Sequence, residues 1–424
     1  MPGVDTPPAY RILDTDTVPA LIGSLPEIRA LLGGAPQTWR VHEVGDGNLN
    51  LVFIVQGVEG SVCVKQALPY VRAAGASWPM TLERAFFEAS YYATVAPYVG
   101  GLIPRIYHHH PELYCTVMEC LSPHIILRQG LIGGRRYPSV ARDIGEYIAR
   151  ASLFTSDLAR PFEQKMDGIA VFARNKELLR ITVDLVFCDP YRRSERNRHT
   201  SPHLDELVAD LRGDRELKLA AARFGRKFLN EAQALVHGDL HSGSVMVTEG
   251  NTRVIDPEFA FYGPIGFDLG AFLGNLLLSW YSQPGHATAQ DNRIAYQNWI
   301  LEQVEIFWES FRSSFLSLWA GNAQGDVLST SMFARPEEAH TLELARREFL
   351  DGLFADMLGF GACKMIRRIV GFAHVIDFER IPEAAVRARC EANALAMART
   401  LLTEPAHFHS IQDVIAAVPR MARH

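Results

Sequence analysis

The sequence predicts an α+β protein of two unequal lobes: a small N-terminal lobe, residues 1–120, built on an antiparallel β-sheet, and a larger, mainly α-helical C-terminal lobe, residues 121–424. Three observations predict it. Segments of period two, separated by glycine turns, occupy much of the region from Trp39 to Cys120. Beyond Pro123, apolar residues recur at helical spacing almost to the end of the chain. Within that helical half, the stretch Leu235 to Phe259 sets Asp239, Asp256 and Glu258 around two short strands.

In chain order, Val18, Leu21, Ile22, Leu25, Ile28 and Leu31 are spaced for one or two short helices, which Gly33-Gly34 ends. Trp39 to Val44 reads as a strand, Gly45 to Asn50 as a turn and Leu51 to Gln56 as the returning strand. After Gly57 to Gly60, the alternation of Ser61 to Gln66 puts Cys63 and Lys65 on one face of a third strand. Thr81 to Val95 has helical apolar spacing and carries Glu83 and Glu88. A hairpin from Ile106 to Cys120 turns at Pro111-Glu112, so His108-His109-His110 read as strand residues, not as a metal site. Irregular segments are expected at 184–203, 282–290 and 321–335. The apolar run Phe267 to Trp280 holds Asp268 and Asn275 and falls short of the ~18 residues a membrane span needs, so it reads as a buried helix.

Composition narrows the classes. The 424 residues are 48% hydrophobic and 21% charged, with a formal net charge of −6, which gives no basic footprint and argues against a nucleic-acid partner. No membrane association is expected either. Six cysteines stand far apart without a Cys-x-x-Cys spacing, and the N-terminus has acids and prolines in place of a signal sequence; a cytoplasmic protein is expected. The basic run at 191–199 reads first as a solvated loop, with a substrate-side or partner-facing patch as the alternative.

The residues that carry chemistry suit phosphoryl transfer, which needs a carboxylate to orient the attacking hydroxyl and oxygen ligands to hold magnesium on nucleotide phosphates. Asp239, after His237-Gly238, is the candidate base, and Ser244 stands five residues on. Asp256 and Glu258 end a strand two residues apart and are candidate metal ligands, with Ser244 as a weaker third. Gly45, Asp46, Gly47, Asn48 and Asn50 form a small-residue loop whose N–H groups can approach phosphate, and Lys65 on the following strand is its cationic partner. Either Glu83 or Glu88 could pair with Lys65, and Glu88 is favoured. His237 and His241 read as braces, and Asp268 as a structural acid.

With these motifs in hand, the chain resembles the aminoglycoside phosphotransferase-like small-molecule kinases, with their protein-kinase-like fold, and within them the methylthioribose kinase subfamily. The resemblance spans nearly the whole length. It rests on Asp46-Gly47-Asn48-Leu49-Asn50, on His237-Gly238-Asp239-Leu240-His241 with Asp256-Pro257-Glu258-Phe259, on a lid-like loop Ser77-Trp78-Pro79-Met80 with Arg84, and on Arg367-Arg368. It implies ATP and Mg2+ as cofactors, adenine held by the backbone of Glu119, Cys120 and Leu121, and a sugar acceptor met by Trp78, Asp239, Arg367 and Arg368. It further implies transfer to the 1-hydroxyl of 5-methylthioribose in methionine salvage, and a homodimer. A kinase of another small alcohol (an aminoglycoside, homoserine or choline) and a non-catalytic nucleotide-binding protein stay open as alternatives. A protein kinase is disfavoured, because no Ala-Pro-Glu segment follows Glu258.

Overall fold

The computed structural model describes residues 6–45, 49–72, 75–322 and 324–422. The expected phosphate-loop residues Asp46, Gly47 and Asn48 lie outside them. The N-terminal lobe is a five-stranded antiparallel sheet, β1 (Arg40–Glu43), β2 (Asn50–Gln56), β3 (Ser61–Ala67), β4 (Ile106–His110) and β5 (Cys115–Glu119), in the order β1-β2-β3-β5-β4. Alternation decides its faces. Phe53, Val55, Val62, Val64 and Val117 pack on Val18, Ile22, Ile28 and Leu32 of the short helices Thr17–Gly23 and Pro26–Leu32. Residues of the other parity, Cys63 and Lys65, turn to the opposite side.

The helix that crosses this second side runs Arg84–Val99, three residues later at its start than the spacing suggested. Thr81 accounts for the offset: its hydroxyl accepts from Glu83 N–H at 3.2 Å, a turn-forming bond that competes with helix just ahead of Arg84. Phe87, Tyr91, Tyr92, Val95 and Val99 of this helix belong to the large C-terminal core, so it joins the two lobes.

In the C-terminal lobe the helix Ile265–Ser282 is buried along its whole length. It lies against Ala339–Val370 where glycines meet, since a Cβ on Gly270 would fall 2.5 Å from Gly361 N and 2.6 Å from Met357 O. Val140–Thr155 packs on Ile294–Gly321 in the same way, with Gly145 facing the backbone of Phe307 and Phe311. Five short strands frame the loops of interest. β6 (Ile125–Ile126), β8 (Val245–Thr248) and β9 (Asn251–Val254) form one small sheet, and β7 (Ala234–Val236) pairs with β10 (Phe261–Gly263).

The segment 184–203 departs from the expected irregular loop over residues 184–191. Val183–Cys188 forms a wide π-helical turn and Asp189–Tyr191 a 3-10 turn, because Leu185, Val186 and Phe187 are buried, and Phe187 packs on Phe228, Phe267 and Phe360. Among the described residues, no helix is long and apolar enough to cross a membrane.

Candidate active site

Strand β3 delivers Lys65 to a point where three carboxylates converge. Its Nζ lies 2.6 Å from Asp256 Oδ1, 2.8 Å from Glu258 Oε1 and 2.9 Å from Glu88 Oε1. Glu83, the other candidate partner, has a side chain 41% exposed and pairs with Arg174 at 2.5 Å. Burial works against the Lys65 ammonium, but Asp256, Glu258 and Glu88 outweigh it and hold the group well above its ordinary value. Against the upward push of desolvation, Lys65 in turn holds Asp256 below its ordinary value.

Asp256 has φ +63°, a left-handed conformation that a short polar side chain tolerates better than most. Its side chain is 47% exposed, whereas that of Glu258 is 4% exposed. Glu258 is fixed from behind. Asn50 Nδ2 donates to its Oε1, and Arg84 Nε lies 3.3 Å from its Oε2. Arg84 is fully buried and also donates to Asn50 Oδ1 at 3.0 Å and to the carbonyls of Leu49, Leu68 and Thr81 at 3.0, 2.8 and 2.6 Å. Asn50, read from sequence as a phosphate-loop residue, is thus tied to Glu258. Arg84, read as a companion of the Trp78 lid, sits beneath the sheet. Two carboxylates two residues apart, one open to the cleft and one rigidly backed, fit the demands of a magnesium ion that keeps phosphate and water among its ligands.

The loop after β7 presents Asp239. Asp268 holds it from below, accepting from the backbone N–H groups of His237 at 2.6 Å and Gly238 at 3.0 Å. The His237 ring braces it from within, its Nε2 donating to Ile255 O at 2.8 Å while Nδ1 accepts from Asp239 N–H at 3.2 Å. Gly238 has φ +82°, and a Cβ there would fall 2.1 Å from Phe259 O, so the loop requires glycine at this point. Ser244 Oγ donates to the backbone carbonyl of Asp239 at 3.0 Å, which places it at the loop but commits its proton.

Asp239 Oδ1 lies 3.0 Å from Lys364 Nζ, and Oδ2 lies 3.2 Å from His241 Nε2. Gly243 N–H donates to His241 Nδ1 at 2.9 Å, so the imidazole proton sits on Nε2 and points at Asp239. Burial pushes His241 down to about 3, leaving it neutral near pH 7. Burial alone would raise the Asp239 carboxyl, yet Lys364 first, then His241 and Arg368, hold it well below the carboxylate range.

Four cations surround this point. Arg128, Lys364, Arg367 and Arg368 are set against two carboxylates, Asp239 and Asp377. Burial lowers both Arg367 and Arg368, and Arg367 Nε and Nη1 are buried without a hydrogen-bond partner among the described residues. On the Lys65 side the balance is reversed, with Lys65 and Arg84 against Glu88, Asp256 and Glu258. One end of the site carries a formal excess of cations and the other a formal excess of carboxylates, among which burial pushes Glu88 up to about 8.

Sequence reading passed over Lys364 and Arg128. A signal for Lys364 was present: Lys364, Arg367 and Arg368 stand at i, i+3 and i+4 on the Ala339–Val370 helix and so share one face. Arg128 offers no such pattern; its donors go to Ser242 Oγ at 3.1 Å and Asn275 Oδ1 at 2.9 Å, both far along the chain.

Further out, the Trp78 ring packs on Phe372, two residues past the end of that helix, with centroids 5.2 Å apart. At the end of β5, Glu119 N–H donates to Arg105 O at 2.8 Å and Cys120 O accepts from Ser122 N–H at 3.0 Å. Gly45 stands at the edge of the described residues, and none of these lies within 4 Å of the place its Cβ would occupy.

Comparison with known proteins gives a consistent picture. The model of the "Phosphotransferase enzyme family" matches residues 40–307. A methylthioribose kinase of Escherichia coli is 45% identical over 96% of this chain and 97% of its own length. Methylthioribose kinase 1 of rice is 46% identical over 98% and 96%, and a methylthioribose kinase of Yersinia enterocolitica is 41% identical over 89% and 91%.

Proposed function

The chain belongs to the phosphotransferase enzyme family and, within it, to the methylthioribose kinases, and on that premise we propose that it transfers the γ-phosphate of ATP to the 1-hydroxyl of 5-methylthioribose, a step of methionine salvage. The observation that best supports this reading in the geometry is the opposed charge at the two ends of the site, which suits a metal–nucleotide at Lys65 and a developing phosphate ester at Arg367 and Arg368.

In this reading Asp239 accepts the hydrogen bond of the acceptor hydroxyl and aims its oxygen. A carboxylate held so far below its ordinary value is a weak base, so it takes the proton late, as the bond to phosphorus forms. Lys364 keeps Asp239 ionised and in place. Arg367 and Arg368 stabilise charge on the transferred group, and Lys65 with the Gly45 to Asn50 loop contacts the nucleotide phosphates. Asp256 and Glu258, with Ser244 beside them, would hold magnesium, which when bound neutralises phosphate charge. The backbone of Glu119 to Leu121 would hold adenine, and Trp78 would close over the sugar. A homodimer working in the cytosol, with the lobes meeting near residue 120, completes the proposal; six free cysteines are in keeping with a reducing compartment.

A coupled ADP-release assay with MgATP and, in parallel, methylthioribose, ribose, homoserine, choline and an aminoglycoside tests it. Turnover of methylthioribose alone is the expected result. Turnover of another acceptor in its place would reject the salvage role, and none with any acceptor would reject the kinase reading.

A further inference from the structure

A second concave site shares none of the catalytic residues. A cavity of about 740 Å³ opens between the 191–201 segment and the helices Asp205–Gly213 and Arg215–Asn230. Arg192, Arg193, Arg212 and Lys218 line it together with His199 and one carboxylate, Asp205, over a wall that includes buried Tyr191 and Val208.

Two of the acids nearby are already engaged. Asp205 accepts from Ser201 Oγ at 3.1 Å and bonds His199 Nε2 at 2.8 Å. Asp189 takes both Arg192 at 2.9 Å and Arg196 at 2.7 Å. Among the described residues, Arg193, Arg212 and Lys218 are left with no carboxylate at ion-pair distance. Arg212 Nε is buried with no hydrogen-bond partner among the described residues. Burial disfavours its charge, and the neighbouring Arg193 disfavours it further. Like charges gathered in one concavity, with a buried donor unmet, are a cost that a bound anion removes.

We propose that this cavity binds a small phosphate-bearing anion, with Arg193 and Arg212 as forked donors and Lys218 as a mobile point charge. Its volume falls within the range of roughly 300–1,000 Å³ typical of small-molecule sites, and its concave form favours a small ligand over an extended polyanion. The apolar wall of Tyr191 and Val208 leaves room for an organic ester as well as for inorganic phosphate. The basic run at 191–199 is then one wall of a binding site.

The test is calorimetric titration of the full chain with pyrophosphate and, separately, ribose 5-phosphate, at constant ionic strength and with saturating MgADP to keep the catalytic site filled. A saturable event with either probe is expected, weakened at least tenfold in the Arg193→Ser/Arg212→Ser double variant with kcat unchanged. Lys218 is exposed, so Lys218→Glu gives the same loss without risk to folding. Preference between the two probes distinguishes an inorganic from an organic phosphate. No saturable binding, or binding that all these variants leave intact, would overturn the proposal.

Discussion

Lys364 Nζ stands 3.0 Å from Asp239 Oδ1 and 4.4 Å from the centroid of the Phe267 ring, so the ammonium beside the candidate base is itself held on an aromatic face. Lys364 is 4% exposed, and burial lowers its own affinity for the proton while Asp239 restores part of it. The pair joins two helices, since Phe267 belongs to Ile265–Ser282 and Lys364 to Ala339–Val370.

Removing the ammonium should show in the pH dependence before it shows in the fold. Lys364 depresses the Asp239 carboxyl, so Lys364→Met lets that group rise and moves the acid limb of the kcat profile to higher pH, with kcat at neutral pH down by about 10- to 100-fold. Lys364→Arg should keep the limb near its original place. The linkage has a definite sign. A folded-state value below the unfolded one stabilises the protein above the unfolded carboxylate value and loses that contribution as pH falls through the folded one. Lys364→Met therefore also narrows the acid range of stability, as thermal unfolding followed from neutral to acid pH would reveal. An unshifted acid limb would remove Lys364 from this role.

Asp239 and Asp256 should separate cleanly in kinetics. Asp239→Ala is expected to keep nucleotide affinity while lowering turnover by about 10² to 10⁴. Asp256→Ala should instead weaken magnesium-dependent nucleotide binding, because it takes away the carboxylate open to the cleft. Titration of each variant with MgADP, beside single-turnover rates, distinguishes the two; lost nucleotide binding in Asp239→Ala with normal turnover would reverse the assignment.

How much of this could be read from the chain depends on how far each contact reaches. Lys65 follows from the alternation of β3, and Asp239, Asp256 and Glu258 from one short stretch, because local periodicity and turn chemistry fix them. Glu88 was preferred over Glu83, and burial now separates the two. The bond between Asn50 and Glu258 spans 208 positions and that between Lys364 and Asp239 spans 125. Spacing along one strand or helix has no means of announcing a partner so distant. The π-helical turn at Val183–Cys188 was missed for a related reason: its aromatic packing is tertiary, and no local pattern encodes it.

Arg84 and Asn50 should behave as positioning residues of unequal weight. Arg84→Met leaves Glu258 without its buried counter-charge and Asn50 and three backbone carbonyls without their buried donor, a loss on the order of 3–5 kcal/mol, so chemical denaturation should shift markedly. Asn50→Ala removes a bond to Glu258 but leaves the guanidinium in place. Its expected effect is a several-fold higher magnesium requirement, with a smaller stability loss of about 1–3 kcal/mol because Arg84 loses the acceptor it bonds at 3.0 Å. An unchanged magnesium dependence in Asn50→Ala would mean that Glu258 needs no such support.

The crossing of the two buried helices offers a test of how the fold sets the site. Gly270 has no room for a methyl group, since its Cβ would meet Gly361 N at 2.5 Å, Met357 O at 2.6 Å and the Phe360 side chain at 2.9 Å. Two of these neighbours are backbone, so the helices themselves must part. Gly270→Ala should cost about 1–3 kcal/mol by overpacking. Asp268 is anchored on one of these helices and Lys364 on the other, so a change in their separation moves the support of the Asp239 loop relative to its ammonium. Turnover should fall more steeply than nucleotide affinity, because Lys65 and Glu88 belong to elements that do not take part in this crossing. Thermal unfolding, MgADP titration and kcat on the one variant measure all three. Equal losses in nucleotide affinity and turnover would show that the crossing supports the lobe as a whole and not the Asp239 end of the site.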